Sequence, residues 1–238
     1  MANLSPAARH RERMLGMLAA AASDPDGVTT GSAYELMLMK LVDDRRTLSN
    51  IQSVQRKIEA KAKMLPTYQA WIDGVLADGK GAQDDVIATV LVWHVDVGDY
   101  ARALQISRYA VEHKFSLPDR YKRDLSTMLQ DEFAEGYFRG PLKEQPELAA
   151  DVLQQVVQLT TKADTPDQAR AKLHKALGLA LLELVDKVDA ENVTADSVDQ
   201  ANASRQNLAR AAELYQGAGV KKDIERLDRR LKKFSEPK

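Results

Sequence analysis

Residues 71–113 read WIDGVLADGKGAQDDVIATVLVWHVDVGDYARALQISRYAVEH, and their periodicity decides the fold class. Val86, Ile87, Val90, Leu91 and His94 recur at the spacing of one helix face. Ala103, Leu104, Ile106 and Ala110 do the same beyond Gly98-Asp99. The pattern predicts a helical hairpin, with helices over 83–97 and 100–114 and a corner between them. A Gly-Asp-Tyr turn followed by Ala and Leu also opens the second helix of TPR-type hairpins, an analogy about packing.

The same reading extends outward in both directions. Towards the N-terminus, helices are predicted over 4–22, 32–64 and 68–76, with a turn at Asp24-Pro25-Asp26-Gly27. In the long predicted helix 32–64, apolar residues fall at Tyr34, Met37, Leu41, Leu48, Ile51, Ile58 and Ala62. This is an imperfect heptad seam interrupted by Asp44 and Gln55, suited to packing on its own domain or to joining subunits. Towards the C-terminus, helices are predicted over 118–138, 147–161, 166–185, 201–216 and 220–234, with 186–199 a polar loop. No segment alternates with period two, so the expected fold is all-α. Pro66 and Gly140-Pro141 divide it into an N-terminal region 1–65, a central domain 66–140 and a C-terminal domain 141–238.

Two chemistries can be tested on residues 71–113. Gly79-Lys80-Gly81 precedes a helix, and a helix N-terminus attracts anions. A Walker A loop needs a longer spacing and a Ser or Thr after its Lys. Asp84 and Asp85 already sit where a phosphate would dock and would repel it. These residues read better as a helix C-cap followed by N-terminal acids, which argues against ATP hydrolysis.

Metal-dependent cleavage needs convergent carboxylates. Asp85 and Asp96 share a helix face but lie ~16 Å apart along the axis. The four histidines, at 10, 94, 113 and 174, form no paired metal spacing, and His94 reads as a core residue. No metal site is expected. Were the chain a nuclease, Asp84 and Asp85 would be its candidate catalytic residues and Mg²⁺ its cofactor.

Composition narrows the classes further. There is no cysteine, which excludes disulfides, thiolate zinc sites and cysteine nucleophiles. No apolar run approaches the ~20 residues of a membrane span. Arg9, Arg11 and Arg13 precede a weakly apolar stretch at Met14–Ala22, but its core and flanks make a poor export signal.

Net charge is −1, so attraction to nucleic acid must be local. Three basic clusters supply it. Arg9, His10, Arg11 and Arg13 form the first. Lys40, Arg45, Arg46, Arg56, Lys57, Lys61 and Lys63 form the second, interspersed with Asp43, Asp44 and Glu59. Lys221, Lys222, Arg226, Arg229 and Arg230, continuing to Lys232 and Lys233, form the third. Residues 144–199 between them carry eleven acids and five bases, so charge is segregated along the chain. Clustered Lys and Arg bind duplex DNA by releasing counterions.

An ordered set of short strings then resembles the small terminase subunit family of temperate tailed bacteriophages with cohesive-ended genomes. It begins with Tyr34-Glu35, Arg46-Thr47-Leu48 and Leu65-Pro66. It continues through Trp71, Gly74-Val75-Leu76 and Gly79-Lys80-Gly81-Ala82-Gln83-Asp84-Asp85, then Trp93, Asp96, Gly98-Asp99 and Arg108-Tyr109-Ala110. Further on come Ala163-Asp164, Pro166-Asp167, Arg170 to Lys175, Gly219 to Lys222 and Ile224 to Leu227. The resemblance spans nearly the whole chain.

It implies a homo-oligomeric ring in the host cytoplasm that recognises double-stranded viral DNA at the packaging site. A large terminase subunit carrying the ATPase motor would be its partner, and no membrane is involved. On this reading Arg9, Arg11, Arg13 and the cluster from Lys40 to Lys63 are expected to contact DNA. Lys221, Lys222, Arg226, Arg229 and Arg230 are expected to meet the partner. The family also carries the label endonuclease subunit, which keeps open the alternative that this chain cuts the DNA itself.

Overall fold

Asp84 and Asp99 each start a helix in the computed structural model, which describes residues 5–22, 28–118 and 122–235. The Asp84 side chain accepts from the amides of Val86 and Ile87, two of the donors that a helix N-terminus leaves without partners. Asp99 accepts from the Arg102 amide, and Gly98 takes the positive φ that turns the chain at the corner. The two helices are the expected hairpin, at Asp85–Asp96 and Tyr100–Glu112.

The described residues are helical almost throughout, with one isolated β-bridge, Val28 to Gln83, and no strand among them. In chain order the helices are α1 (Pro6–Ala22), α2 (Ser32–Ser49), α3 (Val54–Met64), α4 (Gln69–Asp78), α5 (Asp85–Asp96) and α6 (Tyr100–Glu112). After them come α7 (Leu125–Phe138), α8 (Pro146–Thr160), α9 (Asp167–Val188), α10 (Val198–Leu214) and α11 (Lys221–Ser235). The all-α expectation holds. The chain divides into two compact units, Met1–Leu125 and Ser126–Lys238. The proline-marked breaks lie within these units, as the 3₁₀ turns Leu65–Thr67 and Pro141–Glu144 between packed helices.

The single helix expected over 32–64 is two. α2 stops at Ser49, and α3 restarts at Val54 with Ser53 as its N-cap, accepting from the Arg56 amide at 3.3 Å. The apolar seam runs across this corner in sequence, but its two halves differ in burial. α2 buries Tyr34, Leu41 and Leu48, whereas α3 buries no residue fully. Asp44, which interrupts the seam, is itself buried. Tyr68 donates to it at 2.6 Å and Lys40 at 2.5 Å, so the carboxylate is satisfied from both sides. The predicted helix at 118–138 begins at Leu125, and residues 119–121 lie outside the described set.

In the first unit the core is Tyr68, Trp71, Ile72, Val86, Ile87, Leu91 and Ile106, all essentially inaccessible. Each such side chain contributes about 1.5–3 kcal/mol by leaving water. α1 lies across α4 at Gly16 and Gly74. A Cβ on Gly74 would stand 2.8 Å from the Met17 amide nitrogen and collide with the Arg13 carbonyl, and a Cβ on Gly16 would meet the Trp71 carbonyl at 3.0 Å. Neither residue can be larger without moving a backbone.

In the second unit α9 and α10 form the principal pair. Gly178 lets α10 approach until Ser204 Oγ donates to the Gly178 carbonyl at 2.7 Å. α11 closes over this pair through Leu227, and its Arg230 is held by Asp186 and by the carbonyls of Asp189 and Asn192.

Candidate nucleic-acid interface

The loop between α4 and α5 is closed to a ligand by its own side chains. Gly79 caps α4, its amide donating to the Val75 carbonyl. Gly81 adopts φ +90° and donates its amide to Tyr109 Oη at 3.0 Å, with His113 against its α-carbon. Asp84 is fully buried and accepts a third bond, from Trp71 Nε1 at 2.9 Å. Burial pushes its carboxyl up to about 6, while the hydrogen bonds from Ile87, Trp71 and Val86 hold it down. With three donors on it, this side chain is a cap. Asp85 beside it is exposed, and its amide is already engaged, donating to Tyr34 Oη at 3.2 Å. Asp85 and Asp96 stand at opposite ends of α5. Among the described residues no three His, Asp or Glu side chains gather in a group that could hold a metal ion.

His94 is in the core. Its Nδ1 pairs with Asp99 Oδ2 at 2.9 Å and its Nε2 faces Gln69 at 3.3 Å; burial lowers its pKa against the pull of Asp99. The ring therefore braces the α5–α6 corner.

The basic residues divide by how they are used. On α1, Arg9, Arg11 and Arg13 are exposed. Arg45 and Arg46 are exposed at the C-terminal end of α2, and Arg56 and Lys63 on α3, with Lys57 half-buried. Lys40 is bound to Asp44 and lies 5.4 Å from the Tyr68 ring, and Lys61 is ion-paired with Asp96 across to α5. These two hold the fold together around the exposed arginines. All ten belong to the first unit.

On α11, in the second unit, Lys221, Lys222 and Arg229 are exposed. Arg226 and Arg230 share the Asp186 carboxylate, and Arg230 is only 6% exposed. No local pattern marks these two arginines as anchors, because Asp186 lies some forty residues away. Nor does helix periodicity expose the apolar face of α2 formed by Leu36, Met39 and Val42, each at least 60% accessible. Those residues lie opposite the seam that packs inward. Among the described residues no helix is long and apolar enough to cross a membrane.

Comparison with known proteins is consistent along the chain. The model of the phage small terminase subunit family matches residues 38–168, more than half its length. Over 233 residues the chain is 39% identical to the terminase, endonuclease subunit, of Escherichia phage P2, covering 98% of this chain and 88% of that relative. It is 24% identical over 211 residues to the probable terminase, endonuclease subunit, of Haemophilus phage HP1 (strain HP1c1), covering 85% of this chain and 72% of the relative. No solved structure matches it.

Proposed function

The chain belongs to the phage small terminase subunit family, whose role is in DNA packaging, and we propose that within the terminase it is the subunit that recognises viral DNA. In this reading it binds double-stranded DNA at the packaging site in the host cytoplasm, as a homo-oligomeric ring, and delivers it to the large ATPase subunit. The observation that carries the proposal is the set of exposed arginines and lysines gathered on α1, α2 and α3 of one unit, in a chain whose net charge is −1. The outward apolar face of α2 supports self-association, because unpartnered stripes of this kind mark contact surfaces. Lys221, Lys222 and Arg229 on α11 are the proposed contacts for the large subunit.

Replacing Arg45, Arg46, Arg56 and Lys57 by Glu tests the DNA surface. Loss of four phosphate contacts flattens the plot of log affinity against log salt by about 3–4, and weakens binding ~100-fold or more at low salt. A gel-shift titration with cohesive-end DNA at several salt concentrations measures both. Unchanged affinity and slope would remove these residues from the interface.

The names of both relatives, which include the words endonuclease subunit, favour a second reading in which this chain cuts the DNA itself. Asp84, buried as a cap, would serve folding in that case too, leaving the exposed Asp85 as the first residue to replace. Incubating the purified chain with Mg²⁺ or Mn²⁺ and cohesive-end DNA, without the large subunit, separates the two. Cleavage that disappears in Asp85→Ala with folding intact would establish the second reading.

A further inference from the structure

A recess of about 230 Å³ opens in the second unit, lined by residues of α7, α8, α9 and α10. Arg170, His174 and Arg210 line it and no acidic side chain does. Arg170 directs one terminal nitrogen away, to the Ala163 carbonyl at 2.7 Å and Thr165 Oγ1 at 3.2 Å. Arg210 reaches Glu213 at 2.9 Å on the solvent side. Two guanidinium groups thus border a polar hollow with no carboxylate in its lining.

The hollow also holds a hydrogen-bond acceptor, on His174. Asn207 donates its Nδ2 to the Ala203 carbonyl, so its Oδ1 faces the imidazole and takes the Nδ1 proton at 2.8 Å. Burial, helped by Arg210 and Arg170, lowers the His174 pKa, which keeps the ring neutral and leaves Nε2 with a lone pair.

An anion that also carries an O–H satisfies the two cations and this acceptor together. We propose that this recess binds a phosphate group bearing a hydroxyl, either free orthophosphate or a terminal phosphate monoester in its singly protonated form. Arg170 and Arg210 hold its anionic oxygens, and His174 Nε2 accepts its proton. Two near relatives of phosphate fail the same test. Sulfate is fully deprotonated at neutral pH and has no proton to donate. An internal phosphodiester of a nucleic-acid backbone has none either. The recess therefore differs in kind from the proposed DNA surface of the first unit, and the two proposals stand or fall separately.

Calorimetric titration of the full chain with inorganic phosphate and with sulfate at matched ionic strength is the first measurement. Phosphate binds, and sulfate binds at least tenfold more weakly. Arg210→Gln, at a half-exposed position, lowers phosphate affinity at least tenfold without changing the melting temperature. His174→Leu, which removes the acceptor, narrows the preference for phosphate over sulfate. Titrating a short 5′-phosphorylated oligonucleotide against its unphosphorylated form at pH 6, where about half of the monoester keeps its proton, each also on Arg210→Gln, distinguishes the two sources. A 5′-phosphate effect lost in Arg210→Gln assigns a terminal monoester, and its absence assigns free phosphate. No phosphate binding by the unmodified chain, or equal binding of phosphate and sulfate, overturns the proposal.

Discussion

Asp84→Ala destabilises the first unit by about 3–4 kcal/mol, the largest loss expected from any single side chain near α5. The size follows from the three donors that the carboxylate satisfies: the amides of Val86 and Ile87 and the indole of Trp71. All lie where no solvent reaches Asp84, so alanine leaves them without partners, and each buried orphan costs about 1–3 kcal/mol. Both tryptophans of the chain, Trp71 and Trp93, sit in this unit, so urea unfolding followed by their fluorescence reports on it directly.

Asp84→Asn separates the charge from the capping hydrogen bonds. An amide oxygen still caps Val86 and Ile87, but the NH₂ group in place of Oδ2 leaves the Trp71 indole without an acceptor, so stability at neutral pH falls by about 1–3 kcal/mol. The pH dependence is lost with it. The Asp84 carboxyl is raised from 3.8 in the unfolded chain to about 6 in the folded one. Between those values the folded state holds a proton that the unfolded chain has released. This contribution to stability is fully present below pH 4 and is lost as pH rises through 6, by about 3 kcal/mol in all. The native chain shows that decline and Asp84→Asn does not. An unchanged slope in the asparagine variant would show that another group carries it.

Gly74→Ala has the second largest effect and acts on a different joint. The methyl would enter the backbone of α1 at the Arg13 carbonyl and the Met17 amide. Backbone cannot rotate aside as a side chain can, so α1 must lift from α4, at about 3 kcal/mol or more. Trypsin cuts at Arg9, Arg11 and Arg13 in α1 then accelerate, while the α5–α6 hairpin stays protected. Gly16→Ala, whose methyl meets the Trp71 carbonyl at the looser distance of 3.0 Å, produces a smaller acceleration. Equal cleavage in Gly74→Ala and the native chain would refute the crossing. Because this contact seats α1, the same substitution also displaces the basic cluster that α1 carries.

These two residues show where the sequence was legible and where it was not. Asp84 could be read as part of a helix start, because a cap acts within three residues and its signal is local. The α5–α6 hairpin was equally plain from spacing alone. Gly74 looked like any helical glycine, since its reason for being small is the α1 backbone at Arg13 and Met17, nearly sixty residues earlier. Asp44 read as a flaw in a seam for the same reason: the hydroxyl that satisfies it comes from Tyr68.

Residues 32–64 read as one helix because periodicity passes through Leu48, Ile51 and Ile58 without a break, and Ser53 shows itself as a cap only once α3 is seen to restart. Among the basic residues, the sequence listed charges without saying which were already paired. Lys40 and Lys61 have carboxylate partners, and Arg45, Arg46 and Arg56 stand exposed beside them.

The corner between Ser49 and Val54 has a further consequence, for how members of this family can differ in length. Within a continuous helix an inserted residue turns everything beyond it by about 100°. Arg56, Lys57 and Lys63 would then face a new direction and the tie from Lys61 to Asp96 would break. Four residues outside either helix absorb an insertion or a deletion, and each helix keeps its own facing. Gains and losses of sequence among relatives are therefore expected to concentrate at residues 50–53, where the chain can change in length while the surfaces on either side remain as they were.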